Sequence, residues 1–294
     1  MTELWARAGE KDAGRRIKYF VRGDMHVSSG QFRALKTADG LRVNGETVHA
    51  DYLLRPGDLV CVSLREAAVS KVVAPEPGEV CIPYEDDDVY IIDKPAPLPC
   101  QCSDKQPFGT LENRLHARFS GMEDFVFRPL NRLDKGTSGL MAAAKHAHAC
   151  QILQKRLHTP DFIREYLAVV EGQFSGEGSV DLPIAKDDGP TVRRCVDYER
   201  GQRAVTHYRT EGHGSGRTLV RLRLETGRTH QIRVHMAAIG HPVAGDFLYG
   251  TELPDLPGRF ALHSTRIEFN HPLTGARVAL TSPLPEELRR LMDP

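Results

Sequence analysis

The chain has no apolar run approaching the length of a membrane span, and its opening, MTELWARAGEKDAGRR, is too polar for a secretory signal. A cytoplasmic protein with no membrane partner is the expectation. Dense cysteine spacing is missing too. Six cysteines (Cys61, Cys81, Cys100, Cys102, Cys150, Cys195) lie scattered, which excludes a secreted disulfide framework and leaves free thiols. The nearest approach to a metal pattern, His146-x-His148-x-Cys150 with Cys100-x-Cys102, lacks the two-residue gap of a zinc knuckle, so no metal is expected. Neither sign of charge is in excess: 39 basic residues face 39 acidic ones, so affinity for nucleic acid must come from local clusters. No internal repeat is visible. What is present, 294 residues of which 40% are hydrophobic and 27% charged, suffices for one large domain with a small companion.

Residues 1–65 read as a compact α+β module. Ser28-x-x-Gln31 is a capping pattern that opens a short helix with Phe32 and Leu35 on one side and Arg33 and Lys36 on the other. Beyond Gly40, Leu41 and Val43 alternate with Arg42, Asn44-Gly45 signals a tight turn, and Val48 starts a return strand. Pro56-Gly57-Asp58 then turns the chain into a buried strand, Leu59 to Val62. GLRVNG (40–45) and LLRPGD (53–58) resemble the small RNA-binding domain shared by ribosomal protein uS four and many RNA-modifying enzymes. Arg33, Lys36 and Arg42, with Arg15, Arg16, Lys18 and Arg22, would then supply a cationic surface for phosphates; the alternative is a solvated basic face. Residues 66–80, with Pro75, Pro77 and Gly78, read as a linker.

Residues 81–294 read as the second domain. Val89 to Ile92 suits a buried strand after an acidic turn, Ser138 to Ala144 another, and His146 to Leu157 a helix with Ala147, Cys150, Leu153 and Leu157 inward. REYLAVVEG (164–172) and TLVRLRLETG (218–227) alternate as half-buried strands should. A helix follows, with Thr229 as N-cap, a buried stripe of Ile232, His235, Met236 and Ile239, and Gly240 as its stop. Strands dominate, which gives an α+β domain on a mixed, largely antiparallel sheet with peripheral helices.

The stretch that asks for a chemical explanation is NRLDKGTSG (131–139), where Asp134 stands between an arginine and small residues. A phosphoryl-accepting aspartate is one reading, but Gly136 follows where a second acid or threonine is needed, and no downstream acidic pair for magnesium is evident. The other reading is a carboxylate acting at a sugar carbon. If the leaving group is a nucleobase that delocalises its own charge, such a site needs one carboxylate beside a cation, an aromatic platform and a means of extruding the base.

RPLNRLDKGTSGLMAAAK resembles the signature of the RluA-type pseudouridine synthases, commonly H-R-L-D-x-x-T-S-G. GRTHQIRVHMAAIGHPVAGDFLYG (227–250) is similar to their second long motif, and REYLAVVEG to the strand that carries their active-site tyrosine. KPAPLPCQ with GTLEN (109–113), and ALHSTRIEFNHP (261–272), follow weaker family segments in the same order, so the resemblance covers residues 81–290. It implies a pseudouridine synthase fold and an isomerase acting on uridine in structured RNA without cofactor or metal. By the same resemblance Asp134 is the nucleophile, Tyr166 packs beside the target uracil and helps handle the C5 proton, and Arg233 pairs with the aspartate. Arg132 would fill the space left by the flipped nucleotide. Thr137, Arg228, His230 and Gln231 are further candidates for substrate binding, with His230, Gln231 and His235 read as structural or backbone-positioning rather than catalytic, since no step in this chemistry demands a histidine base.

Two departures stand out: Asn131 replaces the usual histidine, and Asp93 and Pro97 stand where asparagine and glycine are commoner. The basic segment from Arg203 to Arg233 is the expected phosphate-contacting wall. Large-subunit ribosomal RNA is the expected substrate, with a transfer-RNA-directed synthase, an inactive RNA-binding protein of the same fold, and a nucleosidase as competing readings.

Overall fold

The computed structural model describes residues 2–35, 40–64, 72–122 and 125–293. It divides into two units, Met1–Lys71 with His146–Ile152, and Val72–Lys145 with Leu153–Pro294.

The first unit is built on a four-stranded sheet in the order Thr2–Arg7, Leu59–Leu64, Leu41–Val43, Glu46–Thr47. Two helices, Ile17–Gly23 and Ser29–Leu35, bury Ile17, Phe20, Val21, Phe32 and Leu35 with Leu4, Leu41, Val60 and Val62. Local chemistry shapes these elements as the residues suggest. Ser28 Oγ accepts from Gln31 N at 3.1 Å while Gln31 Oε1 accepts from Ser28 N at 3.0 Å, a reciprocal cap that fixes where the helix starts. Asn44 and Gly45 adopt positive φ, 51° and 89°, so the two-residue turn has the twist a hairpin requires, and the return strand begins at Glu46 rather than Val48. The strand Thr2–Arg7 was not foreseen; it pairs with Leu59–Leu64 across most of the unit's length in sequence.

The second unit carries a ten-stranded sheet. Its main path runs Glu177–Asp181, Val205–Gly214, Arg217–Leu224, Phe162–Glu171, Leu262–Asn270, Ser138–Ala144, Val89–Lys94, Cys81–Glu85. Every neighbouring pair is antiparallel except Leu262–Asn270 with Ser138–Ala144, which is parallel. Two short strands are added at its side, Arg277–Thr281 against Leu262–Asn270 and Arg128–Pro129 against Ser138–Ala144. All seven residues of Ser138–Ala144 are buried, as befits a central strand.

Of the segment 66–80 read as a linker, residues 66–71 lie outside the described residues. Residues 72–80 belong to the second unit, where the Ala74 carbonyl accepts from Asn113 Nδ2 and Glu76 Oε2 accepts from Gly109 N. Two helix readings need correction. In Ala147–Arg156 the buried side chains are His148, Ala149, Ile152 and Leu153, while Ala147 and Cys150 are half-buried. The helix Gln231–Ala238 is capped by His230 in a left-handed conformation, with Thr229 exposed outside it. Its residues 231–236 are buried on all sides and Ile239 is exposed, so a single inward stripe understates how deeply its first turns are set.

Candidate active site

Asp134 sits on the loop that leads into the central strand Ser138–Ala144. That loop is fastened to its own strand: Leu130 N donates to Ala142 O at 2.8 Å and Ala142 N donates to Asn131 Oδ1 at 3.1 Å. Asn131, in the position the family usually gives to histidine, thus does its work through a backbone bond. Thr137 N closes a turn onto Asp134 O at 3.1 Å. The small residues follow from crowding. A Cβ on Gly136 would lie 2.6 Å from the Phe260 ring, and one on Gly139, at φ 102°, would lie 2.3 Å from Ser264 O in the parallel partner strand.

Two buried groups brace the loop from behind. Lys94, wholly buried, donates from Nζ to the carbonyls of Leu98 at 2.8 Å, Pro95 at 3.0 Å and Lys135 at 3.4 Å. Burial pushes its pKa down to about 8, opposed by the fields of Cys100 and Asp134. Cys100 Sγ donates to Leu133 O at 3.1 Å.

Arg233 comes from the helix Gln231–Ala238 and is itself buried. Its Nη1 bonds Asp134 Oδ2 at 3.1 Å; its Nε and Nη2 grip Asp246 Oδ2 and Oδ1 at 2.6 and 2.8 Å. The guanidinium lies 4.1 Å from the Phe260 ring centre and 5.0 Å from that of Tyr249. Burial would lower the Arg233 pKa, but the bonds to Asp246 and the field of Asp134 outweigh it and the guanidinium is held above its ordinary value. The Asp134 side chain keeps 26% of its surface exposed, so a ligand can reach the carboxylate that Arg233 orients.

Tyr166, on Phe162–Glu171 opposite Ser264, is buried. Burial raises its pKa, Arg164 opposes, and the charge on Asp134 raises it further, so the phenol stays protonated.

Asp134, Tyr166 and Arg233, together with Arg132, Thr137, Arg228, His230 and Gln231, all line one cavity of about 680 Å³. Their parts in it differ. Arg132 is exposed and Thr137 buried. Gln231 has its amide in use: Oε1 accepts from Arg228 N and Thr226 Oγ1, and Nε2 donates to Val205 O and Thr206 Oγ1. It shapes the loop before the helix. His230 Nδ1 and the Tyr249 hydroxyl are 2.8 Å apart. Burial lowers the His230 pKa against the field of Asp134.

The remaining candidates belong to the first unit. Arg33 is exposed on its helix, whereas Arg42 is tied to Glu3 and to Ser63 Oγ. Lys36 lies outside the described residues. Arg15 is likewise engaged by Asp12 and Asp24. The expected basic wall from Arg203 to Arg233 is largely neutralised: Arg203 pairs with Glu225, Arg209 with Glu211, Arg217 with Glu171, and Arg221 with Glu211 and Glu165. Strand alternation places the glutamates on the same face as the arginines, which the one-dimensional count of basic residues does not convey.

Sequence reasoning missed Asp246, although it stands inside the quoted segment 227–250; its signal was an acid between Gly245 and an aromatic in a loop otherwise apolar. It also missed Arg164, a buried arginine in the cavity wall. As to metals, the one grouping of histidine, cysteine or acid ligands among the described residues is Asp86, Asp88 and His271, away from this cavity. There His271 Nδ1 accepts from Leu273 N and Thr274 N, leaving Nε2 to face both carboxylates at 3.2 and 3.4 Å.

Comparison with known proteins gives one answer. The family described as RNA pseudouridylate synthase matches residues 88–238. An uncharacterized RNA pseudouridine synthase, YjbO of Bacillus subtilis (strain 168), is 39% identical over 274 residues, 92% of this chain and 96% of the relative. The ribosomal large subunit pseudouridine synthase D of Escherichia coli (strain K12) is 38% identical over 226 residues, 72% of this chain and 69% of its own. Among solved structures, human RNA pseudouridylate synthase domain containing 1 superposes with a TM-score of 0.58 at 27% identity, covering 71% of this chain and 86% of that one.

Proposed function

This chain belongs to the RNA pseudouridylate synthase family, whose enzymes are isomerases, and from that premise we propose that Asp134 is the nucleophile with which it converts uridine to pseudouridine in large-subunit ribosomal RNA. The observation that carries the assignment is the bond from Arg233 Nη1 to Asp134 Oδ2, 3.1 Å long, in a cavity that also contains Tyr166.

The geometry suits the chemistry. The carboxylate is partly accessible and fixed in one rotamer by a guanidinium that Asp246 prevents from turning away. When the glycosidic bond breaks, uracil leaves with the bonding pair and Asp134 meets the electron deficiency at the sugar, by adding to C1′ or by taking the C2′ proton. The base turns, C5 bonds to C1′, and the C5 proton departs. The atoms of nucleoside are conserved except for exchange of that proton, so no electron carrier enters. Tyr166, protonated and buried, gives the uracil a flat apolar wall. Arg132, exposed at the same cavity, would occupy the gap left by the extruded nucleotide.

The substrate rests on the similarity to ribosomal large subunit pseudouridine synthases. The first unit is the proposed RNA-binding module, with exposed Arg16, Arg22 and Arg33 as its phosphate contacts. Transfer RNA is the competing substrate. Ribosomal and transfer RNA made without pseudouridine, treated with the protein and mapped by carbodiimide-dependent primer-extension stops, decide between them. A new stop in large-subunit RNA is expected; stops confined to transfer RNA contradict the ribosomal assignment.

A further inference from the structure

Arg164 has no part in the chemistry above, yet it is the most unusual charge in the cavity wall. It lies on Phe162–Glu171, two residues before Tyr166, so both side chains leave the strand on the same face roughly 7 Å apart. The residue is 3% exposed and lines the cavity with Asp134 and Tyr166. Its Nη2 donates to Leu157 O at 3.3 Å and to His158 Nδ1 at 3.4 Å, and its Nε is buried without a partner.

No carboxylate among the described residues is within ion-pairing distance of it. Glu165 faces the other side of the sheet and pairs with Arg221, and Glu225 pairs with Arg203 and His207. The neighbouring groups on the same wall are basic or neutral: Arg228 and His158. His158 adds no counter-charge, since an imidazole is never an anion near neutral pH, and burial together with the field of Arg164 pushes its pKa down. Gly227 completes the surround. A Cβ there would stand 3.0 Å from Arg164 Nη1, so glycine keeps the guanidinium in its place.

A buried cation without a counter-charge is costly to hold in a folded protein, and the cost is removed when an anion arrives. We propose that Arg164 is the seat of a backbone phosphate of the RNA strand that carries the target uridine, next to the base that packs on Tyr166. The inference rests on the reading of this cavity as the uridine site. A phosphodiester fits better than a carboxylate on the substrate because every nucleotide brings one, at a fixed reach from its base. Nε stays buried and Nη2 is engaged by Leu157 and His158, so Nη1, bonded by no group among the described residues, is the donor left for a phosphate oxygen.

The test is Arg164→Met beside Arg164→Lys, with tritium release from uracil C5 of pseudouridine-free ribosomal RNA at several salt concentrations, and the melting temperature of the RNA-free protein. A phosphate seat contributes equally to ground and transition states. Arg164→Met should therefore raise KM about 10- to 100-fold with kcat nearly unchanged. The salt slope should become shallower by about one. The free protein should melt no lower, Arg164→Lys should recover most of the affinity, and Gly227→Ala, which displaces the guanidinium while keeping the charge, should raise KM in the same direction. Wild-type KM and salt slope in Arg164→Met overturn the proposal, as does a fall in kcat and melting temperature with KM unchanged. Should wild type release no tritium from any RNA, the uridine-site reading itself fails, and the same salt slopes measured by RNA filter binding still judge the seat.

Discussion

Asp246, wholly buried, holds Arg233 through two hydrogen bonds of 2.6 and 2.8 Å and leaves one terminal nitrogen for Asp134. Two carboxylates therefore share one guanidinium, the inner as anchor and the outer, Asp134, as the partly exposed partner proposed above as the nucleophile. The Phe260 ring against the guanidinium also fills the space above Gly136, so the same aromatic packs on the cation and on the loop that carries its partner.

Asp246→Asn keeps the shape but removes the charge that opposes Arg233. Breaking a buried pair of this kind costs about 3–5 kcal/mol. The melting temperature should fall, and kcat should fall with little change in KM, because Asp246 positions the pair without reaching the cavity. Denaturant unfolding and steady-state tritium release check both arms; wild-type kcat at a lowered melting temperature would make Asp246 purely structural.

Lys94 gives a pH signature. Its folded pKa of about 8 lies below the ordinary value of 10.5, so the unfolded chain binds more protons between those two pH values and stability rises with pH across that window. Below pH 8 the penalty for the buried ammonium is present in full. Relative to Lys94→Met, wild type should gain roughly 3 kcal/mol between pH 7.5 and pH 10.5. Urea unfolding of both proteins at the two pH values measures the gain, and a flat difference would mean that Lys94 stays charged in the fold.

In the first unit the arginines divide by engagement. Arg33 is exposed, whereas Arg42 is held by Glu3 and Ser63. Arg33→Ala should weaken RNA binding at all sequences and reduce the salt slope by about one, with stability unchanged. Arg42→Ala should act chiefly on stability. Filter binding across a salt series, with melting curves for each variant, separates the two; equal salt slopes for wild type and Arg33→Ala would remove Arg33 from the RNA surface.

What the sequence made legible was local or patterned. The Ser28–Gln31 cap, the Asn44-Gly45 turn and the alternation of Val220 and Leu222 need only neighbours to form, so a short window contains their cause. The pairing of Asp134 with Arg233, 99 residues apart, came instead from family resemblance. Features set by distant partners stayed hidden. The Thr2–Arg7 strand depends on Leu59–Leu64, the role of Asp246 on the orientation of a buried helix, and the isolation of Arg164 on where each nearby glutamate points. The pairing within the basic segment stayed hidden for the same reason: counting arginines does not show that glutamates on the same face already pair with several of them.

The proposed chemistry depends most directly on Asp134. Tritium release from RNA labelled at uracil C5 should be measured for wild type and for Asp134→Asn, a nearly isosteric change, on pseudouridine-free large-subunit RNA. Asp134→Asn should fold and bind RNA as wild type does while its release falls below detection, a loss of at least about 10³-fold if the carboxylate forms or stabilises the intermediate. Release at the wild-type rate from Asp134→Asn would contradict the claim that this carboxylate does the chemistry.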